Sequence, residues 1–296
     1  MSHTKSPVSA IVTSLAFFLC AQISRVQAEI LVKEGEKIAF LGDSITAAGY
    51  SNAGGYVKLV GTGLAANGTK VELIGAGWSG HKSNQMLERL ERDVLSKKPQ
   101  WMTLSCGVND VWHGPNGIPL PDYEKNITAI VDQAQQAGIK VVILTSTMIG
   151  EDQNNPNNQK LEPYNQFLRK LAKEKNCKLA DQNADMQATL ATARKASTSK
   201  GNLLTTDGVH MAFAGDLMMA SGVLKSLGLD TKEMAKAKDA WLDLPNTNVF
   251  ESNVALTQRQ AQKLATLAAS RNISLGEMIQ QEINKHVLSL EKSENP

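Results

Sequence analysis

The sequence predicts an α/β protein: a three-layer αβα sandwich on a five-stranded parallel sheet, followed by a C-terminal helical extension. Three observations carry that reading. Between Ile38 and Gly228 short apolar runs alternate with amphipathic stretches, the pattern of βα units building a parallel sheet. The 296 residues are 42% hydrophobic and 20% charged, which suits one large core with a small appendage rather than a membrane or disordered chain. After Leu227-Gly228 the alternation stops and a purely helical pattern takes over.

Residues 1–28 read as a secretory signal. His3 and Lys5 precede the apolar run Ala10 to Ala21, and Val26-Gln27-Ala28 supplies a small-residue cleavage site. That run is too short to span a bilayer, which takes ~20 residues. Cys20 fits a lipid-anchor site poorly because Leu19 precedes it where a small residue belongs. The expectation is export, to the periplasm or beyond, with cleavage near Ala28. Cleavage would remove Lys5 and Arg25 and no acidic residue, turning 31 basic against 29 acidic residues into 29 against 29. A neutral protein has no electrostatic pull toward nucleic acid or anionic membrane, so neither is expected as a partner. Cys106 and Cys177 remain, and because they fall at opposite ends of different strands they are expected as free thiols.

The expected strands are Ile38 to Leu41, Val71 to Ala76, Trp101 to Ser105, Val141 to Thr145 and Lys178 to Ala180. Helical spacing joins Met86, Leu87, Leu90 and Val94, and later Leu161, Tyr164, Leu168 and Leu171. Right-handed crossovers put helices on both faces of such a sheet and ligands at the carboxyl ends of its strands. Residues 29–228 form this domain, and the polar, Pro-containing stretch 229–252 reads as a linker. Residues 253–290 read as a helical hairpin, its helices started by the capping-box pairs Thr257 with Gln260 and Ser274 with Glu277.

Three motifs carry chemistry. Gly42-Asp43-Ser44 ends the first strand and enters a helix, so Ser44 sits where free N–H groups and the positive helix end stabilise negative charge. In Asp207-Gly208-Val209-His210 the carboxylate can bond the imidazole Nδ1-H, leaving Nε2 to accept a serine proton. Gly107-Val108-Asn109-Asp110 follows the third strand, where Asn109 can donate an N–H to an oxyanion. Alone, each has a plainer reading: a strand-to-helix turn, a satisfied buried histidine, an Asx turn. Together they fall on one rim of the sheet, and convergence is what a site requires.

With Gly77-Trp78-Ser79-Gly80 as a further block and Gly215 downstream of the histidine, the chain resembles the SGNH (GDSL-like) hydrolases, whose blocks centre on Ser, Gly, Asn and His in this order. The resemblance covers about two thirds of the chain and implies a flavodoxin-like fold and a serine esterase without metal or organic cofactor. It gives Ser44 as nucleophile, His210 with Asp207 as base, and the Ser44 N–H, Gly80 and Asn109 as oxyanion hole. Trp78, His81 and Lys82 depart from the aliphatic residue and Asp-Thr common in that block.

Tyr50, Trp78, Trp112 and His113, with Lys82, concentrate near this rim in a chain with only four Trp and four Tyr. Aromatic faces suit sugar rings, so O-acetyl or short-acyl groups on carbohydrate are the expected substrate. Lysophospholipase or thioesterase activity, and a non-catalytic carbohydrate-binding protein, are the alternatives. The five His and three Cys show no zinc spacing, and Gly75 to Gly80 is a dinucleotide fingerprint only superficially. In the tail, Val254-Ala255-Leu256 before two capped helices is similar to a ribbon-helix-helix segment, but the neutral charge argues against DNA. A hairpin that packs on the enzyme domain or joins two chains in a homo-oligomer is the expectation.

Overall fold

A computed structural model describes residues 29–196, 201–242, 244 and 257–294. The expected signal segment, its cleavage site and Val254-Ala255-Leu256 lie outside these residues. Two compact units are present, one ending at Asn248 and one beginning at Val249.

The first unit holds one parallel sheet in the order β2-β1-β3-β4-β5. Its strands are β1 Lys37–Gly42, β2 Glu72–Gly77, β3 Trp101–Ser105, β4 Lys140–Leu144 and β5 Lys178–Ala180. Each lies within one residue of the expected bounds. β1 and β3 are buried almost throughout, as strands covered on both faces must be. The chain winds from β1 to β2, then crosses back to β3 on the other side of β1. This reversal opens a crevice beyond the strand ends, where Gly42 and Gly77 are register partners and Leu41 pairs with Leu104.

The connections are α1 Ser44–Ser51 and α2 Tyr56–Ala66, α3 Ser83–Glu88 and α4 Leu90–Asp93, α5 Val108–Trp112 and α6 Leu120–Gln136, and α7 Pro156–Glu174. After β5 come α8 Gln182–Ala196, α9 Phe213–Ser226 and α10 Thr231–Leu242. α2, α9 and α10 pack together on one side of the sheet, while α3, α6 and α7 pack on the other.

Within the stretch that reads as a linker, Thr231–Leu242 form α10. Met234, Ala237 and Trp241 are buried at helical spacing, and Trp241 Nε1 donates to the Leu59 carbonyl at 2.9 Å. Three apolar positions among lysines are enough because α2 offers a matching face, so the first unit extends past residue 228. Cys106 and Cys177 are free thiols.

The second unit is a helical hairpin, α11 Gln258–Ser270 and α12 Leu275–Glu294. Thr257 and Gln260 cap the first helix reciprocally. Ser274 and Glu277 do the same for the second, with bonds of 3.1 Å and 2.7 Å. Ala268 and Met278 are its buried apolar residues among those described.

Candidate active site

The site begins at the end of β1. Asp43 caps α1, its Oδ1 accepting the Ile45 N–H at 3.0 Å, and this turn sets Ser44 as the first residue of the helix, half-buried at the crevice. Facing it is the loop between α8 and α9. Thr205 and Met211 form an isolated antiparallel bridge, and Thr206 N–H donates to the His210 carbonyl at 2.8 Å, closing a short hairpin. At its tip Asp207 Oδ1 accepts the N–H groups of Val209 and His210, at 2.9 Å and 2.8 Å. The other carboxylate oxygen meets His210 Nδ1 at 2.6 Å, and His210 Nε2 lies 2.9 Å from Ser44 Oγ. Residues 166 positions apart are thus in one hydrogen-bonded chain.

Burial tends to raise the Asp207 pKa, but the bonds from the His210 ring and from the two backbone N–H groups outweigh it and hold the carboxyl down at about 2. It is an anion at any working pH. An anion on Nδ1 keeps the proton there and presents the Nε2 lone pair to the serine hydroxyl. Gly215 makes the approach of α9 to this loop feasible: a Cβ there would overlap the Leu204 carbonyl oxygen.

The loop after β2 forms the second wall. Trp78 N–H donates to the Gly42 carbonyl at 3.1 Å, so the loop starts against the residue before Asp43. Gly80 is exposed at φ +75°, a left-handed turn with open space where a Cβ would point, so conformation rather than room calls for glycine. The third wall is α5, entered through Gly107 at φ +139°. Asn109 is buried in its first turn, and its Nδ2 donates to the His81 carbonyl at 3.1 Å and reaches Asp43 Oδ2 at 3.5 Å. Asn109 therefore joins all three strand-end loops. The Asp110 carboxylate below it accepts the Ser83 N–H at 3.0 Å and hydroxyl at 2.6 Å.

Arg89 is a residue that motif reading misses. Buried in the apolar stripe of Met86 and Leu90, it donates Nη1 to the Ala76 carbonyl and Nη2 to the Gly42 carbonyl, both at 2.8 Å, and Nε to His81 Nδ1 at 3.1 Å. Asp93 balances its charge at 3.0 Å. Burial first, then the Arg89 charge, push the His81 pKa down, so the ring is neutral and can accept. A charge inside an apolar helical stripe was the available signal. Asp43, named in the first motif but given no role there, is also buried: burial foremost, with Asp110 adding to it, lifts its carboxyl to about 6 although the Ile45 N–H opposes this.

The expected substrate contacts divide. Trp78 and Trp112 are 48% and 44% exposed. Trp78 stacks on His81 with ring centroids 5.7 Å apart, and Trp112 lies one turn past Asn109, beside the exposed His113. Lys82 Nζ bonds the Asn116 carbonyl at 2.6 Å, tying the two aromatic loops together. Tyr50 does not join them. Six residues along α1 from Ser44 is about 9 Å of rise, and its ring lies against Gly75 under Lys58 Nζ, 4.3 Å from the centroid. Among the described residues no group of three or more His, Cys, Asp or Glu is placed to hold a metal ion, and no helix is long and apolar enough to cross a membrane.

Comparison with known proteins gives concordant findings. The model of the GDSL-like Lipase/Acylhydrolase family matches residues 40–216. An acetylxylan esterase of Geobacillus stearothermophilus is 25% identical over 218 residues, 67% of this chain and 97% of its own length. Esterase TesA of Pseudomonas aeruginosa is 30% identical over 110 residues, 37% of this chain and 53% of that protein. The crystal structure of the acetyl xylan esterase AlAXEase superposes with a TM-score of 0.60 at 36% identity, covering 64% of this chain and 98% of the other. Two structures of Axe2, an acetylxylan esterase from Geobacillus stearothermophilus, are described as catalytic mutants in which an aspartate or a histidine is replaced by alanine. Each has a TM-score of 0.60 at 25% identity, covering 68% of this chain and 97% of that one.

Proposed function

The chain belongs to the GDSL-like lipase/acylhydrolase family and is a carboxylic ester hydrolase, and on that footing we propose that it is an exported serine esterase removing acetyl or other short acyl groups from carbohydrate. One observation carries the chemistry: the unbroken chain from Ser44 Oγ through His210 to Asp207, at 2.9 Å and 2.6 Å.

Ser44 Oγ attacks the ester carbonyl as His210 Nε2 takes its proton, and Asp207 steadies the imidazolium. The Ser44 and Gly80 N–H groups and the Asn109 amide receive the oxyanion. For Asn109 the oxyanion replaces the 3.5 Å contact with Asp43, too long to be a strong bond, while the one to His81 keeps the amide oriented. His210 then protonates the leaving alcohol, and water repeats the sequence on the acyl-enzyme. Each oxyanion donor is worth ~10²- to 10³-fold in turnover.

Acetylated carbohydrate is favoured by the two acetylxylan esterases among the relatives and by the exposed Trp78 and Trp112 on the loops flanking Ser44. An aromatic face at a polar crevice stacks on a sugar ring. The full chain is tested with p-nitrophenyl acetate, acetylated xylan and a lysophospholipid beside a Ser44→Ala variant. The expected result is acetate release from both acetyl substrates and none from the variant. Equal release by Ser44→Ala refutes the mechanism, and a preference for the lysophospholipid refutes the substrate. N-terminal sequencing of protein recovered outside the cytoplasm should begin at Glu29.

A further inference from the structure

Among its described residues, the loop that carries Asp207 and His210 has a single isolated bridge as its regular structure, so its backbone N–H groups need acceptors from elsewhere. They find them in one side chain. Glu151, on the connection from β4 to α7, has its side chain 2% exposed beneath the loop. Its Oε1 accepts the Leu204 N–H at 2.7 Å, the Thr205 N–H at 2.8 Å and the Thr205 hydroxyl at 2.8 Å. Its Oε2 accepts the Leu203 N–H at 2.8 Å and meets Arg194 Nη2 at 3.3 Å. The neighbouring Gly150 N–H donates to the Gly208 carbonyl at 2.6 Å, touching the loop again between Asp207 and His210.

We propose that Glu151 is the positioning residue of the His210 loop: by gathering three consecutive N–H groups at the loop's root it fixes where the hairpin from Thr205 to Met211 projects the imidazole toward Ser44. The proposal rests on His210 being the general base. Thr205 is both the last residue that Glu151 grips and the first of the bridge to Met211, so a shift at the carboxylate passes directly to the residue before Ala212 and to His210 at the hairpin tip. Burial alone would raise the Glu151 pKa. The bonds from Leu203, Leu204 and Thr205 win and hold it below the usual carboxylate range, so the grip is that of an anion. The Ser44 to His210 bond of 2.9 Å tolerates little displacement: a misplacement of ~1 Å costs roughly 10²-fold in rate.

The test uses the full chain with Glu151→Ala, Glu151→Gln and His210→Ala. Turnover and KM for p-nitrophenyl acetate are read well below the thermal midpoint, with the downfield proton resonance of the His210 Nδ1-H as a direct report on the Asp207 bond. Glu151→Ala should lower kcat by roughly 10²-fold at unchanged KM and broaden that resonance away. Glu151→Gln keeps one acceptor oxygen and should restore most of the loss. Wild-type kcat in Glu151→Ala, with only a lowered midpoint, overturns the positioning role. His210→Ala with full activity instead removes the catalytic reading, so the two failures are distinct. Should neither Glu151 variant fold, hydrogen exchange of the wild type decides. Amides of Leu203, Leu204 and Thr205 opening in one step with those of Val209 and His210 support the role, and unprotected Val209 and His210 beside a protected root overturn it.

Discussion

Asp207→Asn separates geometry from charge at the site more cleanly than removal of the side chain. Asparagine retains an oxygen that can accept the Val209 and His210 N–H groups, now bonded at 2.9 Å and 2.8 Å, so the hairpin tip keeps its shape. In place of the oxygen 2.6 Å from His210 Nδ1 stands an NH2 group, which can only donate. The imidazole is then driven to the tautomer with its proton on Nε2, pointed at the Ser44 hydroxyl 2.9 Å away, where it cannot take a proton. Two effects are lost. The Coulombic stabilisation of the imidazolium is partly screened because the Asp207 side chain is 51% exposed. The wrong tautomer is not screened by anything. The expected loss in kcat/KM is therefore ~10³-fold, or ~4 kcal/mol of transition-state stabilisation, rather than the larger effect of a fully buried triad carboxylate. It is measured by initial rates on p-nitrophenyl acetate, with far-UV circular dichroism and the thermal midpoint to show that the fold survives. The acid limb of wild-type activity should not belong to Asp207, whose carboxyl is held down at about 2. A variant within tenfold of wild type would refute the argument that Asp207 sets the tautomer.

Two further outcomes follow from buried charges. Arg89→Met should destabilise the enzyme unit by about 1–3 kcal/mol in chemical denaturation, because it leaves Asp93 with the exposed Arg92 alone, takes the Arg89 donor from the Ala76 carbonyl and leaves the Gly42 carbonyl with only the Trp78 N–H; a loss below ~0.5 kcal/mol would show those groups re-satisfied by water. Asp216 is the second case, its carboxyl raised by burial from 3.8 to about 7 although it accepts the Tyr56 N–H at 2.8 Å. Above pH 7 both folded and unfolded chains carry the charge, and the folded one bears a penalty of up to ~4 kcal/mol. The penalty shrinks as pH falls from about 7 toward 3.8, and below that both forms are protonated. Asp216→Asn keeps the acceptor, so it should raise the thermal midpoint by several degrees at pH 8 and leave it unchanged near pH 4. An equal gain at both values would place the effect in packing rather than ionisation.

What the sequence made legible follows from how short-range each cause is. Strands β1, β3 and β4 could be read within a residue because a strand buried on both faces must be a continuous apolar run, while the partly exposed edge strands β2 and β5 carry shorter apolar runs bounded by polar residues. The Ser44, Asn109 and His210 motifs could be read because each abuts a strand end or a helix start, and all strand ends of a parallel sheet face one crevice. Tyr50 misled because closeness in sequence is not closeness in space once the intervening residues form a helix. α10 was obscured by its lysines, although Met234, Ala237 and Trp241 carry the spacing of a buried face. Glu151 left no trace at all: an acid in a polar loop looks the same whether it meets water or three backbone N–H groups from a segment 52 to 54 positions away.

The residues to which motif reading gives no role share one physical task. Four loops converge on Ser44, and none can be held by apolar packing alone, because a loop's exposed backbone groups need hydrogen-bond partners wherever water is excluded. Each loop is met by a buried ionisable side chain from another part of the chain or from its own turn: Asp43 at the start of α1, Arg89 across the ends of β1 and β2, Asp110 under the Ser83 turn, Glu151 at the root of the histidine loop. Burying such groups is costly unless they are hydrogen-bonded, and burial lifts the Asp43 carboxyl to about 6 even with the Ile45 N–H bonded to it. These side chains offset that cost by bonding loop backbone groups that apolar replacements would leave without partners. Their presence is explained by the precision that a proton transfer across 2.9 Å demands. It follows that replacing any of them by alanine should impair turnover at temperatures where the fold is still intact.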